Sequence, residues 1–267
     1  QGEVKDCQMG IVAATIELYG RIRLELLPTP AKIHYQFNLR DVSKVFQGVL
    51  MVERQQCTTA NAMARLWLHE SLRVFSDRLI NDEDRSYFQI LAVEMLTRHF
   101  GGPAEPKSGG WDVEQVFDPN QEQGPVMFGH YMVPGAADIK YEAVPSFEKV
   151  QKLFDEYLEE YNDPTNRNPP MSLVFFQSAV DHISRISRIL RQPRGNAMLV
   201  GQGGSGKQST TRLGCIIAGA QFTQIELTAQ FGMTEFRDAL KEMMTVAGVE
   251  GQSVGFSLTD TQIINEG

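Results

Sequence analysis

Cysteine is nearly missing from this chain, and the three that occur, Cys7, Cys57 and Cys215, are odd in number and far apart. They show no metal-ligand spacing and no pairing framework, so they read as reduced thiols of an intracellular protein. Histidine is equally sparse: His34, His69, His99, His130 and His182 are scattered and read as structural or surface residues. No run approaches the ~18–20 consecutive apolar residues of a membrane span, and no signal peptide is expected. A basic excess is also lacking. The net charge of −8 argues against a general nucleic-acid binder, which carries a basic face. Acidity of this kind serves solubility and says little about partners. What remains is ordinary globular material, 42% hydrophobic and 22% charged over 267 residues, long enough for two domains. A start at Gln1 and a stop at Gly267 suggest a piece of something larger.

Helical spacing dominates residues 1–100. Over 9–27 the apolar positions Val12, Ile16, Tyr19, Ile22 and Leu26 fall on one face, and Pro28 and Pro30 end the run. Asn38 is a good N-cap with Asp41 three residues later, as in a capping box, ahead of the apolar face Leu39, Val42, Val45, Phe46, Val49 and Leu50. A third helix is expected from Thr59 to Arg78, with Ala64, Leu66, Trp67, Leu72 and Phe75 inward. A fourth begins near Asp82 and carries Phe88, Ile90, Leu91, Val93 and Leu96. After a Gly/Pro-rich loop, the short apolar segments 111–117 and 126–131 around a polar tip read as a β-hairpin. Helix returns from Pro145 to Tyr161, with a solvated acidic face (Asp155, Glu156, Glu159, Glu160), before a polar connector over Asn162 to Pro170.

The second part carries the chemistry. A helix is expected from Ser172 to Leu190, then an apolar strand, Ala197 to Val200, entering a glycine-rich turn whose Lys207 opens another helix. Gly201, Gly206 and Lys207 meet the phosphate-loop pattern of glycine, four free positions, glycine and lysine. Glycines let backbone N–H groups approach phosphate oxygens closely, and the helix N-terminus adds partial positive charge. Gly201 starts the turn. Backbone donors are expected from Gly203, Gly204, Ser205, Gly206 and Gln208, with the Lys207 ammonium on the outer phosphates. A plain glycine-rich connection is the alternative, and it leaves the lysine unexplained. After the Gly-Lys pair a Ser or Thr normally ligates Mg²⁺; here Gln208 stands there and Ser209 comes one place late. One residue is about 100° of helix, so Ser209 points away, and Ser209 and Thr210 read equally well as polar positions on the helix. Strand candidates at Gln221 to Leu227 and Val254 to Leu258, with a helix from Phe236 to Ala247 between them, make an incomplete parallel α/β sheet flanked by helices.

Two stretches carry a resemblance. Pro-Thr-Pro-Ala-Lys-Ile-His-Tyr-Gln-Phe-Asn-Leu-Arg-Asp-Val-Ser-Lys-Val-Phe-Gln-Gly-Val-Leu (28–50) resembles the small helical subdomain of the third AAA+ module of dynein heavy chains. Arg-Ile-Ser-Arg-Ile-Leu-Arg-Gln-Pro-Arg-Gly-Asn-Ala-Met-Leu-Val-Gly-Gln-Gly-Gly-Ser-Gly-Lys-Gln-Ser (185–209) resembles the approach to the fourth. Met127-Phe128-Gly129 and Leu258-Thr259-Asp260-Thr261-Gln262 fit the same family in the same order. The Gly-Lys-Gln-Ser form is closer to axonemal dyneins than to cytoplasmic ones.

The resemblance implies an α/β P-loop NTPase of the AAA+ type with a mainly helical subdomain in front. Residues 1–162 would be the helical lid of one module, with the hairpin inserted near 111–133, and 163–267 the first part of the next nucleotide-binding domain. It implies a segment of a six-module motor that walks on microtubules and whose main hydrolysis lies in the first module. Arg40 matches the arginine with which an AAA+ lid senses a terminal phosphate. A cation in the first turn of a helix opposes the helix dipole, so a nearby anion would justify it; an exposed charge paired with Asp41 or Asp77 is the alternative. Asp260 matches the water-activating acidic position, yet the pair reads Thr259-Asp260, one acid where two are expected. The shorter side chain matters because a misplacement near 1 Å can cost about a hundredfold in rate. ATP or ADP is therefore expected to bind here with little or no turnover, Mg²⁺ has little support, and no metal ligand is assigned. The alternatives are a hydrolytically competent ATPase module and a purely structural site. Arg185, Arg188, Arg191 and Arg194 read as a solvated or inter-module helix face. Phe175, Phe176 and Ile183 are candidates for adenine neighbours but read more simply as core. Expected partners are the other AAA+ modules of the same chain, dynein intermediate and light chains, and microtubules through other regions. No nucleic acid or membrane is expected. The expected location is the cytoplasm and cytoskeleton, in the axoneme of a cilium or flagellum.

Overall fold

The structure, a computed structural model, describes residues 2–100, 117, 125–135, 139–166, 169–225, 227 and 231–263. Its first elements are four helices, α1 (Gly2–Glu25), α2 (Leu39–Val49), α3 (Ala60–Val74) and α4 (Asp82–Phe100). Their common core is built on Trp67, Leu68, Phe75, Phe88, Leu91 and Leu96 with Leu18 and Ile22. A hydroxyl deep in this region is satisfied twice. Thr15 donates to the Ile11 carbonyl (2.6 Å) and accepts the Trp67 indole N–H (2.9 Å), as a buried polar group must. Helices α1 and α4 meet at Gly10, where a Cβ would lie 2.5 Å from the His99 carbonyl oxygen.

The helix boundaries follow the caps. Asn38 accepts the Arg40 N–H, and Asp41 accepts the Asn38 N–H, completing the expected capping box. Thr59 accepts the Ala62 N–H and starts α3. Two faces differ from expectation. On α1 the buried positions include Cys7, Ile11, Ala14, Leu18 and Ile22, with Leu26 just beyond its end, while Val12 and Ile16 are exposed. This helix is apolar on several sides, so spacing alone does not select the buried stripe. Of the expected apolar face of α2 only Val45 is buried, and Leu39 and Leu50 at its ends are exposed. On α4, Ile90 is likewise exposed.

Phe128–Gly129 (β1) does form a strand, but it pairs antiparallel with Glu142–Ala143 (β2). The other arm of the expected hairpin falls mostly outside the described residues, and Phe117 within it is helical. This pair sits over a polar side of α3. The Tyr141 hydroxyl donates to Glu70 (2.7 Å), Arg65 donates to the Pro125 carbonyl, and His69 meets the Val126 carbonyl.

Two compact units result, Gln1–Met132 with Asp138–Lys149, and Val150–Gly267 with Val133–Ala137. Helix α5 (Phe147–Tyr161) therefore contributes most of its length to the second unit, ahead of the expected boundary at 162/163. There Phe154 meets Phe175 edge to face at 5.8 Å, and Gln151 holds the Phe175 carbonyl. The connector is stapled by Asn162, whose amide donates to and accepts from the Met171 backbone (both 2.8 Å). Then follow α6 (Gln177–Arg191), α7 (Lys207–Ile217), β3 (Gln221–Gln224), α8 (Met233–Gly248) and β4 (Val254–Ser257). β3 and β4 are parallel, Gln221 opposite Val254 and Gln224 opposite Ser257. The expected strand at Ala197 to Val200 is not formed. Its side chains stand in solvent, Met198 90% and Val200 86% exposed, because no strand lies beside it among the described residues.

Candidate functional site

The glycine loop is shaped by backbone angles only some residues accept. Gly204 and Gly206 have φ of +76° and +80°, which any side chain would resist. Gly206 is also the N-cap of α7, so the first-turn N–H groups of that helix open toward the loop without intrahelical partners. Gly201 and Gly203 have no such angle. A Cβ on Gly201 would meet the Ser205 Oγ at 3.4 Å and the Lys207 ammonium at 3.8 Å, both ordinary contacts.

Lys207 folds back across the loop. Its ammonium donates to the carbonyls of Gly201 (2.7 Å) and Gln202 (2.6 Å) and lies 3.3 Å from the Ser205 hydroxyl. The positive charge is thus held over the loop instead of sweeping through solvent. Gly201, Ser205 and Lys207 are brought together directly. Gly203, Gly204, Gly206 and Gln208 follow as backbone neighbours.

Packing behind the loop keeps α7 in place. Gly214 lets it approach α6, where a Cβ would fall 2.8 Å from Ile186. Cys215 rests on Gly255 of β4, where a Cβ would be 2.5 Å from its sulfur. Burial pushes the Cys215 thiol up to about 11, so it acts as a small apolar side chain. Gly219, at φ +70°, ends α7 with Gly219 N–H on Ile216 and Ala220 N–H on Cys215, and the chain turns straight into β3. The helix therefore runs against β3 and β4, and its N-terminus lies at the end where both strands finish. Ligands of parallel α/β units bind at that end.

Asp260 occupies the same end, in a 3-10 turn (Asp260–Gln262) after β4. It is exposed and accepts the Thr261 N–H (3.0 Å); no hydrogen bond joins it to the loop. The residue that ties this turn down is Gln262, buried, whose amide accepts the Thr259 N–H (2.7 Å) and donates to the Ile225 carbonyl. The spacing Thr259-x-x-Gln262 is that of a capping box and was open to reading; the link to Ile225 was not.

The donor set presented to the loop suits a polyphosphate. Backbone N–H groups and an ammonium face the loop. Of the hydroxyls near the helix start, Thr210 donates to Gly206 or Lys207 and Thr211 to Lys207, and Ser205 accepts from the Lys207 ammonium. Gln208 is exposed and offers only a neutral amide. No cluster of metal-binding side chains occurs among the described residues.

Arg40 belongs to the other unit. It is exposed at the start of α2 and lines a concavity with Tyr19, Arg23, Phe37, Asn38 and Leu39. Neither expected acid pairs with it, since Asp41 binds Arg78 (2.7 Å) and Asp77 binds Arg73 (3.1 Å). Arg78 was not expected to matter, and nothing in its local sequence marks it. Of the adenine candidates, Phe175 and Ile183 are buried core, and Phe176 is exposed at the N-cap of α6. Of the arginine series, Arg188 is buried and Arg191 donates to the Ala218 carbonyl.

Known protein families match both parts of the chain. Residues 171–267 match the P-loop containing dynein motor region D4, and residues 11–106 match the AAA+ lid domain. Over 265 residues the chain is 42% identical to dynein axonemal heavy chain 6 of Homo sapiens, covering 98% of this chain and 6% of that protein. Identity is 43% over 263 residues to dynein axonemal heavy chain 1 of Mus musculus and 39% over 267 residues to its dynein axonemal heavy chain 2. These cover 98% and 99% of this chain and 6% of each relative. The chain thus spans about 6% of the length of these relatives.

Proposed function

The chain belongs to the axonemal dynein heavy chains, and we propose that it is a regulatory nucleotide-binding segment of a microtubule motor in the ciliary axoneme. The loop from Gly201 to Lys207 holds the phosphates of ATP or ADP. The Lys207 ammonium and the N–H groups of 203–208 are the donors, with Ser209 beside them at the helix start. The observation that carries this is the ammonium clamped over a loop whose glycines take positive φ. The nucleotide's role is to hold one module's core against its neighbours and pass its state around the ring of AAA+ modules.

Hydrolysis is a poor fit. Gln208 replaces the metal-binding hydroxyl, the hydroxyls of Thr210 and Thr211 are spent on helix carbonyls, and Asp260 stands alone as an acid. In the other unit, Arg40 senses the terminal phosphate of a nucleotide belonging to its own module. Its charge is free for that role because Asp41 and Asp77 serve other arginines.

Lys207→Ala in the intact motor tests the reading. Nucleotide retained on the purified ring should fall by one equivalent. ATP turnover by a motor whose first module is blocked should not change. Brisk residual turnover that Lys207→Ala abolishes would instead favour a hydrolytic module.

A further inference from the structure

We propose that Arg23 is a second ligand of the anion that Arg40 meets, so that the helical unit carries a two-guanidinium site for a phosphate-bearing molecule. This rests on the reading of Arg40 given above and adds to it a residue of a different helix.

Both arginines line the same concavity, of about 620 Å³, with Tyr19, Phe37, Asn38 and Leu39. It is a shallow, open hollow, and what it offers a ligand is its charge. Arg23 comes from the last turn of α1 and Arg40 from the first turn of α2, so two separate elements converge there. No carboxylate lines the concavity. The acid nearest in sequence, Asp41, is engaged by Arg78 at 2.7 Å and by the Asn38 N–H at 2.9 Å. Asn38 itself is spent on the Arg40 N–H (2.8 Å).

The neighbouring arginines make the contrast plain. Arg21 pairs with Glu25 (3.1 Å), and Arg98 pairs with Glu17 and Glu94. The acids along α1 and α4 thus neutralise those two, and among the described residues neither Arg23 nor Arg40 has an ion-pair partner. Two cations facing one hollow repel each other, and an anion between them reverses the sign of that interaction. Guanidinium is also the group best suited to phosphate, which it can grip with two parallel N–H bonds.

The test is arginine modification by phenylglyoxal in the intact heavy-chain motor, mapped by peptide mass spectrometry. It is repeated in the Lys207→Ala motor so that the loop at 201–207 does not contribute. ATP should slow modification of Arg23 and Arg40 together, at least about fivefold, with one concentration dependence. Adenosine, which has no phosphate, should protect neither. If pyrophosphate protects both as well as ATP does, the pair stands and recognises the phosphates alone; if only ATP and ADP protect both, it stands and recognises a nucleotide. Arg23→Gln should raise the ATP concentration that half-protects Arg40 about tenfold, and Arg21→Gln should leave it unchanged. Protection of Arg40 without Arg23, or no effect of Arg23→Gln, overturns the proposal and leaves the Arg40 reading standing. Protection of neither arginine by any phosphate overturns both.

Discussion

Asp41 is bound by Arg78, from the turn after α3, and not by its sequence neighbour Arg40. The guanidinium lies 2.7 Å from the carboxylate and stacks over the Phe37 ring at 5.0 Å. It thereby fastens the start of α2 and leaves Arg40 directed at the concavity. Asp41 is only 4% exposed, so loss of Arg78 would strand a buried charge. Arg78→Ala is expected to weaken the first turn of α2 by about 2–3 kcal/mol. Hydrogen exchange at α2 amides should accelerate roughly 30- to 150-fold. An unchanged exchange rate would mean that Arg78 is dispensable there.

Gly255 and Cys215 form a contact with no spare room. Gly255→Ala should destabilise the β3–β4 unit by about 1–3 kcal/mol through overpacking. Adding Cys215→Ala should recover part of that loss, because the clash is with the sulfur. A double-mutant cycle of thermal unfolding measures the coupling. Strict additivity of the two changes would count against the close approach.

Asp84 supplies a pH dependence. Burial alone would raise its carboxyl from the ordinary 3.8, but hydrogen bonds from Lys32 (2.6 Å) and Tyr35 (2.8 Å) and the Lys32 charge outweigh it, and the group is held lower. A carboxyl lowered in the folded state stabilises above its unfolded pKa, and the benefit fades as pH falls through the folded one. Stability of the helical unit should therefore drop on acidification below about pH 4, and Asp84→Asn should flatten that part of the profile. Equal slopes in acid for both proteins would show that the group does not contribute.

Cys57 and Cys215 should resist alkylation. Burial pushes each thiol up to about 11, with Cys7 adding to the effect on Cys57, so little thiolate exists near pH 8. Iodoacetamide labelling at pH 8 should be slow in the folded protein and fast after denaturation. Rapid labelling of Cys215 without unfolding would contradict its packing on β4.

Much of this was legible because it is local. Asn38 with Asp41 and Thr59 act within a few residues and cap their helices as expected, and Gly206-Lys207 opens a helix where the sequence placed one. Long-range choices were not legible. Spacing on α1 pointed to one face with Val12 and Ile16, whereas packing against Trp67 and α4 buries Ile11, Leu18 and Ile22 and leaves Val12 and Ile16 exposed. Strand formation at Ala197 to Val200 depends on a neighbouring strand, which no local pattern supplies. The partner of β1 turned out to be Glu142–Ala143, across an intervening stretch. Arg78 was invisible for the same reason, since its value comes from a carboxylate on another helix.

Metal independence separates nucleotide holding from hydrolysis. Nucleotide retained through Lys207 should survive EDTA in the wild-type motor, because Gln208 brings no hydroxyl to a metal. Gln208→Ser should make a measurable part of that retention sensitive to EDTA. Complete loss of this nucleotide from the wild type on chelation would argue for a metal-dependent site.

The most direct measurement is electron density at the mouth of α7 in an intact motor frozen at millimolar ATP. A polyphosphate should lie against the Lys207 ammonium and the amides of 203–208, with no metal bridging it to Gln208. A well-resolved loop with protein or solvent alone beside Lys207 would contradict the account.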